Sequence, residues 1–397
     1  MKTNLLAPSA LCLLLLSTLT VMSNATIAPA LPGLAREFAG TASAELLVKM
    51  LLPIPALFVV IFAPILGWTA DKFGRRKQLL ISTTVFALSG AAGAKLAGLE
   101  AILISRAILG ICVAGLMTAI TALITDYFAG QQRSRFMGLQ QSFSNIGGIV
   151  FIVTAGYLAN ISARLPFYIY AAALLLVPLV FFAIKDVART NDTSVIQTAE
   201  NTQTKDTIKN NARWKWALAG CALVLFCHLI VFYILPTQIP FFMVDIGITD
   251  ASKSGLAMGA GTLAAAITGI SFGKLVDKIQ NYGVALVGFM TMAIGMVVLS
   301  QASSFGLVVV GCALMGVCMG LVMPNFMVTG LALVPSDKRG LASGVLTSSI
   351  FIGQFVSPLI SSALIAILAY SHFYLLTAGF TALLAVASAA MLKAQAA

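Results

Sequence analysis

The sequence predicts an all-α membrane protein whose twelve transmembrane helices form two parallel, repeat-related six-helix bundles. Of the 397 residues, 59% are hydrophobic and only 9% are charged, whereas a soluble chain carries roughly 25% charged residues. Twelve apolar runs reach the length of about 20 residues that a spanning helix needs, and several features of the first half recur in the second. The composition therefore excludes a soluble globular enzyme.

The first half of the chain contains six apolar runs of spanning length. They lie near residues 8–31, 46–68, 79–98, 101–125, 138–160 and 165–184. Because the bilayer core has no water to satisfy backbone polar groups, these runs are predicted to be helices. The first run could instead be a cleaved signal peptide, but it is longer than a signal h-region and eleven further runs follow it.

A polar stretch at residues 185–213 separates the two halves and is predicted to be a solvated cytoplasmic linker. Six more runs follow, near residues 214–240, 254–273, 283–303, 306–334, 341–368 and 370–392. The predicted organisation is thus an N-terminal bundle at 1–184, the linker at 185–213 and a C-terminal bundle at 214–397.

The basic residues predict the orientation of the chain in the membrane. An even number of spans places both termini on one side, together with 18 of the 24 Lys and Arg residues. The six exceptions are Arg36, Lys49, Lys95, Arg106, Arg164 and Lys253. The positive-inside rule therefore places the termini and the linker in the cytoplasm, and it explains the net charge of +11 without a nucleic-acid partner.

The cysteines and histidines do not predict a disulfide framework or a metal site. All six cysteines lie inside apolar runs, and only two histidines could join them as ligands. The cysteines are Cys12, Cys112, Cys221, Cys227, Cys312 and Cys318. We therefore expect no metal and no cofactor.

Residues separated by 206 positions relate the two halves. Seven pairs share a residue type: Gly67 and Gly273, Asp71 and Asp277, Lys72 and Lys278, Gly110 and Gly316, Arg133 and Arg339, Gly138 and Gly344, Gly147 and Gly353. Parallel repeats of this kind are typical of carriers in which a substrate cavity lies between two bundles and opens alternately to each side of the membrane.

The loop between the second and third runs carries a recognisable motif. Residues 67–77 read GWTADKFGRRK, and a weaker copy, GKLVDK, occupies 273–278. The loop resembles the GxLaDrxGrk signature of the major facilitator superfamily. A basic cytoplasmic loop would explain the Arg and Lys residues but not the placement of Gly67, Asp71 and Gly74.

The resemblance implies a gate that holds the cytoplasmic side shut in the outward-open state. The implied gate residues are Gly67, Asp71, Gly74, Arg75, Arg76, Asp126, Arg133, Asp277 and Arg339. Asp71 suits a position facing a helix N-terminus, where the helix dipole favours an anion, and Gly67 allows close helix approach. Arg75 is expected to pair with Asp126. These residues are predicted to be conformational rather than substrate-binding.

The fourth run contains an arginine several residues from its start. Residues 106–110 read RAILG, similar to the family's Rxx(Q)G pattern with Leu109 where a Gln is common. An intramembrane arginine is costly unless it faces a cavity or a partner. The resemblance implies a role for Arg106 in proton coupling, and the alternative is that it snorkels to the outer headgroups.

Two further patterns bear on the subfamily. The PxLP sequence at Pro29 and Pro32 is similar to the first span of twelve-helix drug–proton antiporters. The fifth run keeps the glycine frame of the antiporter motif GxxxxxxxxGxxxGPxxGG at Gly138 and Gly147, but the Gly-Pro pair is absent. This departure weakens the assignment to the exporters.

A proton-coupled carrier needs a group that titrates within the membrane, and the runs contain almost no carboxylates. Glu45 lies at the outer end of the second run, with Lys49 one turn on, and a surface ion pair is the alternative reading. His228 lies near the middle of the seventh run, where a satisfied core histidine is the alternative. Asp245 and Asp250 are predicted to be solvated in the following loop.

Polar residues on the family's cavity helices are the candidate substrate contacts. They are Asn24, Gln141, Asn145, Tyr233, Gln238, Asn325 and Gln354. Each could instead form interhelical hydrogen bonds, which membrane bundles use routinely. Gln141 and Asn145 are four residues apart and should share a helix face.

The resemblance implies a proton-driven exporter of small amphipathic compounds, a monomer of the bacterial inner membrane that works by alternating access. The alternative within transport is a specific metabolite carrier or an importer working by uniport or symport. A lipid flippase or a membrane-embedded enzyme is the alternative of another class. An enzyme would need a catalytic constellation within the membrane, and the sequence contains none.

Overall fold

A computed structural model describes residues 7–41, 43–185, 213–335 and 338–396, and these ranges contain helices and no strand. Residues 186–212 of the predicted linker lie outside the described residues, as do residues 1–6. The division into bundles at 184 and 214 stays a prediction. We use N-half for the six spans up to Ala183 and C-half for the six from Arg213.

The described residues of the N-half form eight α-helices and two 3₁₀ segments. They are α1 (Pro8–Ala25), a 3₁₀ turn (Ala28–Ala30), α2 (Leu31–Glu37), α3 (Ala44–Met50), α4 (Ile54–Phe73), α5 (Arg75–Ala92), α6 (Leu99–Tyr127), α7 (Gly130–Ile161), a 3₁₀ helix (Leu165–Leu175) and α8 (Leu176–Ala183). The C-half contains α9 (Arg213–Phe232), α10 (Ile234–Asp245), α11 (Ala251–Ser300), α12 (Phe305–Ala332) and α13 (Arg339–Ala396).

These helices make twelve passes, as the sequence predicts. Nine helices in the described ranges are long and apolar enough to cross a membrane. Two of the nine, α11 and α13, are each divided by one residue with non-helical dihedral angles, Gln280 and Ala369. The nine helices thus account for eleven passes. The remaining pass is span three, formed by α5, whose first turn is basic. Spans one, two and seven each consist of two helices, with breaks between α1 and α2, α3 and α4, and α9 and α10.

The predicted ends of several spans differ from the observed helices. Span three was expected at 79–98, but α5 runs from Arg75 to Ala92. Span five was expected to begin at 138, but α7 begins at Gly130. The starts differ because hydropathy detects only the apolar middle of a helix, whereas the hydrogen-bonded backbone begins in polar turns outside the bilayer core. At its other end, α5 stops at Ala92, before the predicted end of the apolar run.

The internal repeat is visible as matching helix contacts. A Cβ built on Gly110 of α6 would lie 2.5 Å from the backbone oxygen of Pro55 in α4. A Cβ on the repeat-related Gly316 of α12 would collide with the backbone oxygen of Gly261 in α11. Pro55 and Gly261 are themselves 206 residues apart, so the same close approach occurs in both halves. These glycines allow the helix backbones to touch.

Two names describe the ends of the molecule. The linker side is the end where α8 finishes at Ala183 and α9 starts at Arg213. The far side is the opposite end, which carries the turn between α2 and α3 and the turn between α10 and α11.

Candidate functional site

Arg106 lies inside the N-half with no exposed side-chain surface. Its Nε donates to the carbonyl oxygen of Leu51 at 3.2 Å, and its Nη2 donates to that of Ser23 at 2.5 Å. Its guanidinium also lies over the ring of Tyr170, 4.9 Å from the centroid. The snorkelling alternative is therefore wrong, because the side chain turns toward backbone acceptors in the interior rather than toward the headgroups.

The acceptors around Arg106 lie at interrupted helices. Ser23 lies in the last turn of α1, and Leu51 follows the end of α3. The hydroxyl of Tyr170 also donates to Ser23 O at 3.3 Å, and that of Tyr233, between α9 and α10, donates to the carbonyl of Leu52 at 3.4 Å. Helix ends leave carbonyls without intrahelical partners, and here side chains from other spans satisfy them.

Nη1 of Arg106 is buried and has no hydrogen-bond partner among the described residues. A buried donor of this kind is costly to leave unsatisfied, and a positive one favours an acceptor or anion nearby. Sequence reasoning missed Tyr170 and the backbone acceptors, since nothing in the local sequence shows which helices are interrupted next to Arg106.

A second charged cluster lies on the linker side, where α4 meets α5. Arg75 forms an ion pair with Asp126 at the end of α6, as predicted, and its Nη2 lies 3.5 Å from Oδ1 of Asp71. Its Nη1 also donates to the carbonyl of Ala122 at 3.0 Å. Gly74 joins the two helices with φ +96°, a conformation that only glycine adopts readily. The cluster ties α4, α5 and α6 together, and its role as a gate stays a prediction.

The other predicted gate residues have separate surroundings. Arg76 donates to the carbonyl of Phe181 at 2.5 Å and lies over its ring. Arg133 donates to the carbonyls of Phe128 and Thr125, just beyond and within the end of α6, at 3.2 and 3.3 Å. In each contact, a positively charged arginine donates to carbonyl oxygens at or just beyond the C-terminal end of a helix, where the helix dipole favours a cation.

Three gate residues complete the set. Asp277 is exposed, and Arg339 begins α13. The expectation that Gly67 permits a close helix approach is wrong in this conformation, because a Cβ there would lie 4.0 Å from Cγ2 of Thr118, an ordinary contact.

Lys49 and Glu45 form an ion pair on the far side, with Nζ 2.6 Å from Oε1. The lysine side chain is only 2% exposed, whereas the glutamate is 62% exposed. Nζ also lies 4.4 Å from the ring centroid of Phe241 in α10, which belongs to the C-half. The alternative of a surface ion pair is therefore wrong for Lys49. The signal that sequence reasoning overlooked is a lysine inside the apolar run LLVKMLL.

His228 is fully buried within the C-half. Its ring packs against Phe232 and edge-on against Phe289, and its Nδ1 lies 3.8 Å from Sγ of Cys318. These surroundings are apolar and belong to one bundle. They favour the core alternative over a group that faces a cavity.

Of the seven candidate substrate residues, Tyr233 donates to Leu52 of the N-half, and substrate binding by it stays a prediction. The other six fall into two groups. Gln238 donates to the hydroxyls of Ser361 and Ser362 at 2.8 and 3.1 Å, and Asn325 donates to the carbonyl of Asn281 at 2.8 Å. These contacts join helices within the C-half, as the interhelical alternative expects. Gln141 and Asn145 share a face of α7 and are hydrogen-bonded at 3.1 Å, whereas Asn24 and Gln354 are half-buried. For these four residues substrate binding stays a prediction.

On the far side, the two halves are joined by hydrogen bonds. Asn160, at the end of α7, donates to Oδ1 of Asp250 at 2.6 Å and accepts from the backbone N–H of Ala251 at 2.7 Å. Asp250 also accepts from Ser252, and the hydrogen bonds from Ser252 and Asn160 lower the pKa of its carboxyl. The expectation that Asp250 is merely solvated is therefore wrong. It caps α11 and binds the other half.

The far-side contact continues into the membrane between α7 and α11. A Cβ on Gly156 would lie 2.9 Å from the carbonyl oxygen of Ala251 and 3.3 Å from Cα of Gly255. On the linker side, in contrast, a Cβ on Gly138 or Gly273 of the same two helices would meet no atom within 4 Å. We call the far-side contacts, from Lys49 and Phe241 to Asn160 and Asp250, the far-side seal.

The sequence is similar to known transport proteins. A sequence model of the Major Facilitator Superfamily matches residues 13–358 and 250–396. A class E tetracycline resistance protein of Escherichia coli is 27% identical over 345 residues, which cover 86% of this chain and 84% of the relative. The quinolone resistance protein NorA of Staphylococcus aureus is 26% identical over 78% of each chain. A class H tetracycline resistance protein of Pasteurella multocida is 34% identical over 202 residues, about half of each chain.

Solved structures show the same fold. A bacterial homologue of the human lysosomal transporter Spinster, solved in an inward-facing and unoccupied conformation, superposes with a TM-score of 0.75 over 96% of this chain and 95% of the other at 16% identity. A D-xylose–proton symporter gives a TM-score of 0.72 at 17% identity, covering 95% and 97% of the two chains. With its twelve spans, its repeated halves and a family match over most of its length, this multi-pass membrane transporter belongs to the major facilitator superfamily.

Proposed function

We propose that the protein is a proton antiporter that exports small amphipathic compounds by alternating access of its two halves. The observation that carries the proposal is the asymmetry of contact between α7 and α11, which touch on the far side and leave open space at their linker-side glycines. In this proposal the halves separate on the linker side, which the positive-inside rule predicts to be cytoplasmic. Loading from the cytoplasm is what an exporter requires.

The relatives support the direction and the substrate class. Their names refer to resistance to tetracyclines, quinolones and multiple drugs, and a membrane transporter would confer such resistance by removing the compound from the cytoplasm. Tetracyclines and quinolones are amphipathic molecules of modest size. An apolar path with one buried arginine and several amides suits neutral, zwitterionic or anionic compounds of this type.

Arg106 is the proposed centre of proton coupling. Its buried guanidinium already links α1, α3 and the 3₁₀ helix through Ser23, Leu51 and Tyr170. A substrate acceptor that engages the remaining Nη1 would alter the balance among these spans. Binding that differs between two conformations is what shifts their populations.

The linker-side cluster of Asp71, Arg75 and Asp126 is the proposed gate of the opposite conformation. In this proposal, the far-side seal opens as the linker ends of the halves approach, and the cluster fixes the ends of α4, α5 and α6 that meet the other half. The bilayer and the transported compound are the proposed partners, the proton gradient is the energy source, and a monomer in the bacterial inner membrane is the working unit.

The test uses purified protein in liposomes that contain a pH-sensitive dye. A tetracycline or quinolone is added to wild-type protein, to Arg106→Gln and to the control Arg36→Gln, which changes an exposed arginine on the far side. We expect compound-dependent proton movement in the wild type and the control, and at least a tenfold smaller rate in Arg106→Gln. Transport of radiolabelled compound without any proton movement would contradict antiport.

A specific metabolite carrier or importer is the second candidate. It is favoured by the absence of the Gly-Pro pair from α7, where Phe151 and Ile152 follow the glycine frame. Reversing the imposed pH gradient in the same liposomes separates the two candidates, because an antiporter and a symporter accumulate the compound on opposite sides.

A further inference from the structure

Lys49 is a buried cation that contacts both halves of the molecule. It belongs to α3 in the N-half, its Nζ lies 2.6 Å from Glu45 of the same helix, and the ring of Phe241 in the C-half lies 4.4 Å away. A lysine over an aromatic face is held by a cation–π interaction. The C-half therefore contributes part of the surface that removes this ammonium group from solvent.

The two members of the pair are buried to very different extents. Lys49 is 2% exposed and Glu45 is 62% exposed, so the lysine alone carries most of the desolvation cost. Removing one partner of a buried pair leaves an uncompensated charge and is strongly unfavourable, whereas replacing the buried charge by an apolar group of similar volume is often neutral or favourable. The two residues are therefore not equivalent.

We propose that Glu45 and Lys49 control the equilibrium between the closed and the open conformation of the far side. The buried charge of Lys49 destabilises the closed conformation, and the negative charge of Glu45 offsets this effect. The inference rests on the proposed alternating-access cycle, in which Phe241 leaves Lys49 when the far side opens. Closing the seal buries the ammonium group. Glu45 supplies the negative charge that makes this burial tolerable.

This role makes a prediction that an ordinary stabilising ion pair does not. Glu45→Gln leaves Lys49 charged without its counterion and should favour the far-open state. Lys49→Met removes the charge but keeps an unbranched apolar side chain against Phe241, and it should favour the closed state. Both variants abolish the same ion pair, yet their effects should have opposite signs.

The experiment measures the distance between two spin labels on the far side. Lys95→Cys and Gln301→Cys place the labels at exposed, repeat-related positions in different halves. Cys227→Ala is added because the other five native cysteines are buried. Double electron–electron resonance on the full chain in lipid nanodiscs gives the fraction of molecules with the longer, far-open distance.

We expect Glu45→Gln to raise the ratio of far-open to closed molecules by at least about threefold and Lys49→Met to lower it by a similar factor. The double variant should resemble Lys49→Met, because no buried charge remains. The matched control is Glu37→Gln, which breaks an ion pair with Arg164 on the same side but within the N-half. It should leave the ratio unchanged.

Equal shifts in the same direction from the two single variants would overturn the proposal, since they describe an ordinary ion pair. An unchanged ratio in Glu45→Gln would overturn it as well. The measurement needs no transported compound, so failure of the liposome assay with a normal response here would count against the proposed antiport and not against this role of Lys49.

Discussion

The turn between spans two and three in the N-half has a repeat-related turn in the C-half. Both turns contain a residue with positive φ, but the side chains that follow make different contacts. In the N-half, Arg75 follows the turn and forms an ion pair with Asp126. In the C-half, Asn281 occupies the equivalent position, and its Nδ2 donates to the hydroxyl of Thr329 in α12 at 3.3 Å. In both halves, the side chain at this position binds a residue of the following span. Only the N-half uses charge for this contact.

The backbone at these two turns has a positive φ in both halves. Gly74 has φ +96° and ψ 138°, and Gln280, 206 residues later, has φ +61° and ψ 172°. A glutamine adopts this region only at a conformational cost of about 1–3 kcal/mol. The backbone break therefore occurs in both halves, whereas the glycine and the arginine that follows it are features of the N-half turn.

The same contrast holds in the middle of the bundles. Arg106 of α6 corresponds by the 206-residue spacing to Cys312 of α12, and both are fully buried. The arginine makes hydrogen bonds to two other spans, whereas the cysteine has a small apolar side chain, and its backbone carbonyl lies beside Gly261. We infer that the N-half supplies a buried cation that joins several spans and that the C-half has a neutral side chain at the related position.

The largest effect is expected where the halves differ most. Arg106→Gln leaves the carbonyl of Leu51 without its side-chain donor and removes one of the two donors to Ser23, which keeps the Tyr170 hydroxyl. A buried unsatisfied group costs about 1–3 kcal/mol. We expect at least a tenfold loss of transport and a clearly lower unfolding temperature. Cys312→Ala at the related position should cost about 1 kcal/mol and leave the rate within twofold of wild type. Equal losses of transport rate in the two variants would contradict the proposed difference between the halves.

The next effect concerns the side chains that follow the two turns. Arg75→Asn copies the C-half residue into the N-half and removes the cation that Asp126 and Asp71 share. We expect about a tenfold slower transport rate, which corresponds to roughly 1.4 kcal/mol. Asn281→Ala loses one neutral hydrogen bond and should change the rate by less than about threefold. Rates are compared per reconstituted protein, and normal transport by Arg75→Asn would show that the charge is dispensable.

The turns themselves provide a test with opposite signs. Gly74→Ala places a side chain at a strongly positive φ and should destabilise the protein by about 1–2 kcal/mol. Gln280→Gly should relieve strain and stabilise it by about 1 kcal/mol, after the entropic cost of a more flexible unfolded chain. Thermal unfolding midpoints in one detergent measure both changes. A lower midpoint for Gln280→Gly would mean that its side chain makes contacts worth more than the strain.

The smallest effect concerns the contact that joins the halves. Hydrogen bonds from Ser252 and Asn160 lower the pKa of Asp250 in the folded protein. Their stabilisation is therefore complete above the ordinary carboxyl pKa near 4 and is lost as the pH falls through the lower, folded-state pKa. Unfolding midpoints measured from pH 7 to pH 3 should fall slightly more steeply for wild type than for Asp250→Asn. Parallel curves would contradict this assignment.

The sequence predicted the number of spans, the repeat and the Arg75–Asp126 pair, because apolar run length and motif spacing are local signals. It misjudged Asp250, which was expected to be solvated, and it left a surface ion pair open as the alternative for Lys49. Their partners, Phe241 and Asn160, lie in the other half of the chain. Burial between two distant segments leaves no mark on the local pattern around either residue.

The same reason limited the prediction of His228 and Gln238. Each lies on an apolar helix that was expected to line a cavity, and periodicity alone does not show which face of a helix in a bundle meets the substrate and which meets its neighbours. The 206-residue spacing carries more information than was drawn from it. Residue 280 lies 206 positions after Gly74, so the repeat alone would have predicted that the helix is interrupted at Gln280.

The order of the contacts around Arg106 has a consequence for biosynthesis. An arginine near the centre of an isolated helix costs about 2.5–3.5 kcal/mol on insertion into a bilayer. Ser23 and Leu51, whose carbonyls receive its hydrogen bonds, both precede it in the chain. They therefore leave the ribosome and enter the membrane before the arginine does, so that span four inserts beside acceptors that are already in place.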